Sequence, residues 1–173
     1  MVNALLIAGT TIGVQYYASG ATNGTASVGF QSNQGYWGNH GYNWWGISHI
    51  YFFIWRIYFH GCGNTTNWWY GSGSWKPFDL VSLANVTKMF GDSSVGPGTY
   101  SSITLYVSSV VGTINGHNET LQTPDGQIQV PLQFQIVRGQ ATSLFLSVST
   151  NNQMIFQNHV LNANITGQVS GPY

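Results

Sequence analysis

Few side chains in this sequence could carry acid–base, nucleophilic or metal chemistry. Of 173 residues, four are basic and four acidic, and there are five histidines and one cysteine. The charged residues are Arg56, Lys76, Asp79, Lys88, Asp92, Glu119, Asp125 and Arg138. Acid–base catalysis relies on paired titratable groups with separated pKa values, and four acids leave few pairs. Asp79 near Lys76 and Asp92 near Lys88 are typical of turn or surface pairs.

The remaining chemical motifs also argue against an enzyme. The histidines show neither His-x-His nor His-x-x-x-His spacing, so a metal site would have to be assembled in space. Haem-attachment, phosphate-loop, dinucleotide and nucleophile-elbow motifs are missing from the sequence. A single cysteine, Cys62, excludes an intrachain disulfide and is more typical of an inert thiol than of a nucleophile. We therefore expect no catalytic residues, no metal and no cofactor.

The charge pattern excludes further partners. Formal net charge is zero, and four scattered cations form no electrostatic footprint for nucleic acid or an anionic membrane surface. Hydrophobic residues make up 43% of the chain and aromatic residues 15%, which is enough surface to bury for a folded domain. The length fits one domain plus a tail.

Five acceptor sequons for N-linked glycans occur in the sequence. Glycans at these positions could supply the hydration that so few charged residues leave lacking. Their asparagines are Asn23, Asn64, Asn85, Asn118 and Asn164. We expect a secreted, cell-surface glycoprotein.

Residues 1–23 form an apolar segment, which we interpret as an assembly tail ahead of a head domain at 24–173. It lacks the basic region of a signal peptide. Polar residues interrupt its apolar run, which argues against a membrane span. As a helix it pairs Ala4 with Ala8 and Gly9 with Gly13, the small-residue spacing of close helix packing. As a strand it could complete the sheet of another subunit. We favour the helix, and the strand is kept as the alternative. The expected assembly residues are Leu5, Leu6, Ile7, Ile12, Val14, Tyr16 and Tyr17.

The body of the chain alternates with a period of two, which predicts an all-β fold. The clearest strands are residues 127–136 and 161–169, with apolar side chains on one face and Gln, Asn or Thr on the other. Further strands fit residues 25–31, 103–111 and 142–149, and helical spacing occurs only at 83–90. About seven or eight strands at this spacing indicate a single β-sandwich.

Residues 49–60 are apolar on both faces if the alternation is strict. Ile50, Phe52 and Ile54 would lie on one face, and Tyr51, Phe53, Trp55, Ile57 and Phe59 on the other. The second face must then meet an aromatic loop, the tail or a neighbouring subunit.

Two segments rich in Gly, Asn and aromatic residues, 32–46 and 63–75, are predicted to be loops. One interpretation is a platform on which sugar rings stack, because flat indole faces suit pyranose rings. The alternative, which we favour, is a layer that covers a sheet or seals a subunit contact. The candidate residues are Trp37, Trp44, Trp45, Trp68 and Trp69.

An ordered set of motifs resembles a secreted prokaryotic domain family of unknown function. The motifs lie at residues 24–28, 50–60, 78–80 with Leu83, and 96–100, followed by Ile103 and Leu105. The resemblance covers residues 24–169 and implies a surface-anchored β-sandwich without assigned chemistry.

The layout of an apolar tail before a β-rich head also resembles archaeal surface pilins and thread-like filament subunits. From these features we expect a structural subunit of an extracellular filament, a head-to-tail homopolymer of the chain with itself. The alternative is an adhesive or carbohydrate-binding surface module that uses the aromatic segments to hold host or surface glycans.

Overall fold

A computed structural model describes residues 22–32, 46–71, 77–83, 86–123, 126–150, 155 and 157–172. These residues form ten strands and a 3-10 turn at Val81–Leu83. The strands are β1 (Gly24–Ser32), β2 (Ile47–Gly61), β3 (Trp68–Gly71), β4 (Phe78–Asp79), β5 (Lys88–Val95), β6 (Gly98–Ile114), β7 (His117–Thr120), β8 (Gln127–Ile136), β9 (Ala141–Thr150) and β10 (Ala163–Ser170). The predicted tail at 1–23 lies outside the described residues except for Thr22 and Asn23.

The strands form two packed sheets, so the predicted all-β sandwich is confirmed. The smaller sheet has the order β10-β9-β1-β5, in which β1 and β9 are parallel and the other pairs antiparallel. The larger sheet has the order β3-β2-β6-β7, with β4 also paired to β2 and β8 to β6. Because β2 and β6 are its longest strands and lie at its centre, they position most of its surface residues.

A continuous apolar core lies between the sheets. Phe78 in the larger sheet stacks on Phe30 in the smaller one, with ring centroids 4.7 Å apart, and also on Phe52 at 5.6 Å. Each fully buried side chain of this size contributes about 1.5–3 kcal/mol relative to an exposed one. The two layers are therefore joined by aromatic packing as well as by aliphatic contacts.

Strand β2 departs from the predicted alternation. Its pairing with β6 shifts register on both sides of Ile54, which marks a bulge. Ile54 and Ile57 are both buried, although three positions separate them. The prediction that Ile57 and Phe59 face away from Ile50 is therefore wrong, because the bulge returns them to the core. The other face of β2 is not a second apolar layer but a row of half-buried aromatic and polar side chains.

Other elements follow or correct the sequence prediction. The predicted alternation of β8 and β10 is confirmed, with their Gln, Asn and Thr residues exposed. The described part of the 83–90 stretch, where the spacing is helical, follows the all-β prediction, since β5 begins at Lys88 and pairs with β1. Part of the predicted aromatic loop at 63–75 is also a strand, β3, because β2 extends far enough to pair with it.

The turn from β5 to β6 crosses between the sheets and is fixed by a buried tyrosine. The Tyr100 hydroxyl donates to the carbonyl oxygen of Gly96 at 2.8 Å, and its ring stacks on Phe134 at 5.1 Å. At Gly98, a Cβ would come within 2.4 Å of Thr65, so only glycine fits there. This geometry gives residues 96–100 a structural role.

Candidate functional site

The outward-facing surface of β2, β3, β6 and β8, here called the outer face, carries the most distinctive surface chemistry of the fold. Its rows follow from the strand register. One row runs from Trp69 through Tyr58 and Thr104 to Gln129. The adjacent row runs from Gly71 through Arg56 and Tyr106 to Gln127. Aromatic, amide and hydroxyl groups thus lie side by side on one pleated surface.

Arg56 lies at the centre of an aromatic cluster on this face. Its guanidinium carbon is 4.4 Å from the centroid of the Trp55 ring, 5.0 Å from that of Trp69 and 5.9 Å from that of Tyr106. The Trp55 and Tyr106 rings are themselves 5.5 Å apart. Cation–π attraction of this kind contributes about 0.5–1 kcal/mol at an exposed site and about 2 kcal/mol when desolvated. The rings therefore hold the guanidinium in place on the sheet.

The β2 bulge is what brings Trp55 and Arg56 together. Strict alternation would direct consecutive side chains to opposite faces. Because Ile54 and Ile57 both enter the core, the two residues between them lie on the outer face. Bulges commonly redirect side chains at functional surfaces in this way.

The guanidinium of Arg56 has no acidic partner among the described residues. Their two ion pairs are His49–Asp79 and His159–Glu119, neither of which involves an arginine. The Nε atom is buried and, in the part of the chain that the structure describes, is the one such side-chain atom without a hydrogen-bond partner. Aromatic rings attract a cation but do not replace a hydrogen-bond acceptor. The cluster thus holds a positive charge whose Nε–H donor has no acceptor among the described residues.

Polar contacts order the rest of the outer face. His60 Nε2 and Thr104 Oγ1 are hydrogen-bonded at 2.7 Å, and the His60 ring meets Tyr58 edge-on at 4.8 Å. Gln129 Nε2 donates to Ser102 Oγ at 3.4 Å. These contacts position donors and acceptors within reach of the aromatic cluster.

The candidate tryptophans divide between the two sides of the larger sheet. Trp69 is 57% exposed and lies on the outer face, whereas Trp68 is half-buried and packs against the core. Trp68 also lines a surface depression of about 390 Å³ with Asn64, Thr65, Thr66, Gly96, Pro97 and Tyr100. Trp37, Trp44 and Trp45 lie outside the described residues.

The sequons differ in accessibility. Asn64, Asn118 and Asn164 are exposed, and Asn23 is half-buried with its amide donating to Ser94 Oγ at 3.1 Å. Asn85 lies outside the described residues. Glycosylation at these positions stays a prediction.

Among the other titratable groups of the described residues, Asp79 has a clear structural role. Asp79 Oδ1 accepts the N–H groups of Ile50 and Val81, and Oδ2 contacts His49 Nδ1 at 2.7 Å. The prediction that Asp79 forms only a turn or surface pair missed this link, because His49 is thirty positions away. Cys62 is exposed and unpaired. The described residues hold no group of three or more His, Cys, Asp or Glu suited to a metal ion.

Sequence reasoning identified Trp69 but missed Trp55, Arg56, Tyr58 and Tyr106. One signal was present: Arg56 is the sole charged residue among the first 75, and it follows a tryptophan in an aromatic strand. The cluster itself depends on the register of three strands, which no local pattern reveals.

Comparison with known proteins gives one match. The model of DUF4382, a domain of unknown function, matches residues 45–161 and so includes the strands of the outer face. No curated protein and no solved structure matches the chain. Over the described residues, no helix is long and apolar enough to cross a membrane.

Proposed function

The chain belongs to the DUF4382 family, and we propose that it is a cell-surface module whose outer face binds carbohydrate. The single observation that carries this proposal is the exposed Trp69 ring beside Arg56 in a cluster of aromatic side chains. The family description assigns no activity, so the argument rests on the residues of this chain.

The composition of the outer face is that of a recognition surface. Protein–protein interfaces are enriched in Trp, Tyr and Arg and depleted in Lys, Asp and Glu. Truncation of these enriched residues also costs the most binding energy. Trp69, Tyr58, Tyr106 and Arg56 lie together here, and the facing positions on β8 are Gln127 and Gln129.

Carbohydrate fits this surface better than an apolar partner. A flat indole offers stacking area to the C–H face of a sugar ring. The neighbouring amide, imidazole and hydroxyl groups can exchange hydrogen bonds with sugar hydroxyls. An apolar partner would desolvate the donors and acceptors on this face that have no partner within the fold, which costs about 1–3 kcal/mol for each such group.

A glycan array probed with the full-length protein tests the proposal. We expect binding that is lost in Trp69→Ala and retained in Met89→Ala, which removes a partly exposed apolar side chain from the other sheet. Equal binding by wild type and Trp69→Ala would overturn the assignment of the outer face.

A second candidate is the filament subunit predicted from the sequence, and the edge of the smaller sheet supports it. Strand β10 pairs only with β9 among the described strands and contains neither a charged residue nor a proline. Natural edge strands are usually protected by such residues, because an open edge can accept a strand from another chain. A tail donated by a neighbour would fit this edge.

The filament candidate is tested by deleting residues 1–20 and examining the secreted product by electron microscopy. Loss of filaments supports assembly through the tail, and normal filaments from the truncated chain contradict it. A backbone trace of native filaments separates the two forms of assembly. Inter-subunit ladder hydrogen bonds at residues 5–17 indicate a donated strand, whereas helix packing indicates a helical core.

A further inference from the structure

We infer that the outer face is selective for acidic saccharides, with the Arg56 guanidinium binding a sugar carboxylate. This inference rests on the proposed carbohydrate-binding function and specifies its ligand class. It is argued from the charge of Arg56, from its lack of an acidic partner and from the rings around it.

The charge of Arg56 favours an acidic ligand. Arginine stays protonated at all physiological pH values, so the outer face carries a permanent positive charge at Arg56. No described carboxylate lies within ion-pair distance of it, since both described ion pairs are made by histidines. A neutral saccharide would leave this charge uncompensated, whereas a uronic acid would neutralise it.

The hydrogen-bonding geometry of the Arg56 guanidinium also suits a carboxylate. A guanidinium presents five N–H donors in a rigid plane, and a carboxylate can accept two of them in parallel. The rings of Trp55, Trp69 and Tyr106 surround the group without accepting such bonds. Arg56 is fixed in position and only partly buried, with its Nε covered, so an anion would bind through the outer nitrogens of the guanidinium.

The aromatic rings beside Arg56 would contact the sugar ring that carries the carboxylate. A carboxylate bound at Arg56 would bring its pyranose ring next to the exposed Trp69 indole, whose centroid lies 5.0 Å from the guanidinium carbon. The same ligand would therefore gain a charge-assisted contact and a stacking contact at once. Gln127 and Gln129 lie on β8, beyond β6, and would meet the hydroxyl groups of the adjoining units.

A matched pair of probes isolates the carboxylate. Calorimetric titration of the full-length protein with oligogalacturonate and with its methyl ester compares two chains that differ in charge. We expect the acid to bind about tenfold or more tightly than the ester, the scale of one charge-assisted hydrogen bond. Its advantage should shrink as salt rises, because a half-exposed charge is screened.

Variants of Arg56 then test whether this residue causes the preference for the acid over the ester. Arg56→Gln should reduce binding of the acid to the level of the ester, and Arg56→Lys should recover only part of it, because an ammonium cannot bind a carboxylate bidentately. Arg138→Gln is the matched control, since Arg138 is exposed in the β8–β9 turn. It should leave both affinities unchanged.

The outcomes distinguish this inference from the proposed function. Equal affinity for acid and ester, with both lost in Trp69→Ala, overturns the acidic selectivity and leaves carbohydrate binding intact. An acid preference that survives Arg56→Gln likewise overturns it. Failure of both probes and of neutral glycans to bind overturns the proposed function as well. If Arg56→Gln does not fold, the ratio of the wild-type affinities for acid and ester still decides whether the outer face prefers acidic saccharides.

Discussion

Trp55 and Arg56 are consecutive in the chain, yet both side chains lie on the same face of the larger sheet, with the guanidinium carbon 4.4 Å from the indole centroid. The register shift of β2 makes this arrangement possible, since Ile54 and Ile57 on either side are both buried. The two register shifts around Ile54 therefore turn an expected apolar layer into a charged aromatic surface.

Replacing Tyr100 by Phe should lower the free energy of unfolding by about 1 kcal/mol, the net value of one buried hydrogen bond. The substitution removes the bond to the Gly96 carbonyl and leaves the ring packing with Phe134 in place. Urea denaturation measures the change. Tyr58→Phe on the outer face is the control and should change stability by less than about 0.5 kcal/mol. Equal effects of both variants would contradict the role given to the turn.

Stability should also fall at alkaline pH because of Tyr100. Burial raises the pKa of its phenol above the ordinary 10.0. The folded state therefore favours the neutral phenol, and the stabilisation is complete below pH 10 and is lost as pH rises through the folded-state pKa. Above pH 10 the wild type should lose stability more steeply than Tyr100→Phe. Parallel curves in urea melts at several pH values would contradict this.

Asp79 should matter through its backbone bonds more than through its ion pair. Asp79→Ala removes the acceptor of the Ile50 and Val81 N–H groups and should cost about 2–4 kcal/mol. Asp79→Asn keeps an acceptor and loses only the pair with His49, which is 46% exposed, so about 1 kcal/mol or less is expected. Chemical denaturation of both variants measures the difference. A cost for Asn as large as that for Ala would show that the ion pair dominates.

The parts of the fold that the sequence predicts are those in which one strand face meets water. In β8, Val130, Phe134 and Ile136 are buried while the intervening glutamines are exposed, so residue type and burial agree. Strand β2 lies at the centre of its sheet and has aromatic residues on both sides, so its residue types cannot reveal where the alternation slips. The bulge depends on pairing with β6, which is a long-range relationship.

The candidate site was predictable only in part for the same reason. Trp69 stands out as one of several tryptophans in a Gly-rich segment, but its neighbours Arg56 and Tyr106 come from other strands. Trp68 has the same local sequence and faces the core instead. Only the register of β3 on β2 decides which of the two indoles is available to a ligand.

The most direct test of the outer face as a carbohydrate site is to observe which indoles respond to a bound saccharide. In protein labelled at the tryptophan nitrogen, titration with trigalacturonate should shift the indole N–H signals of Trp55 and Trp69 and leave Trp68 unchanged. Assignment by single Trp→Phe variants identifies each signal. If trigalacturonate, its methyl ester and the neutral glycans all leave Trp55 and Trp69 unmoved, or shift Trp68 alone, the account of the outer face as a carbohydrate-binding surface is wrong.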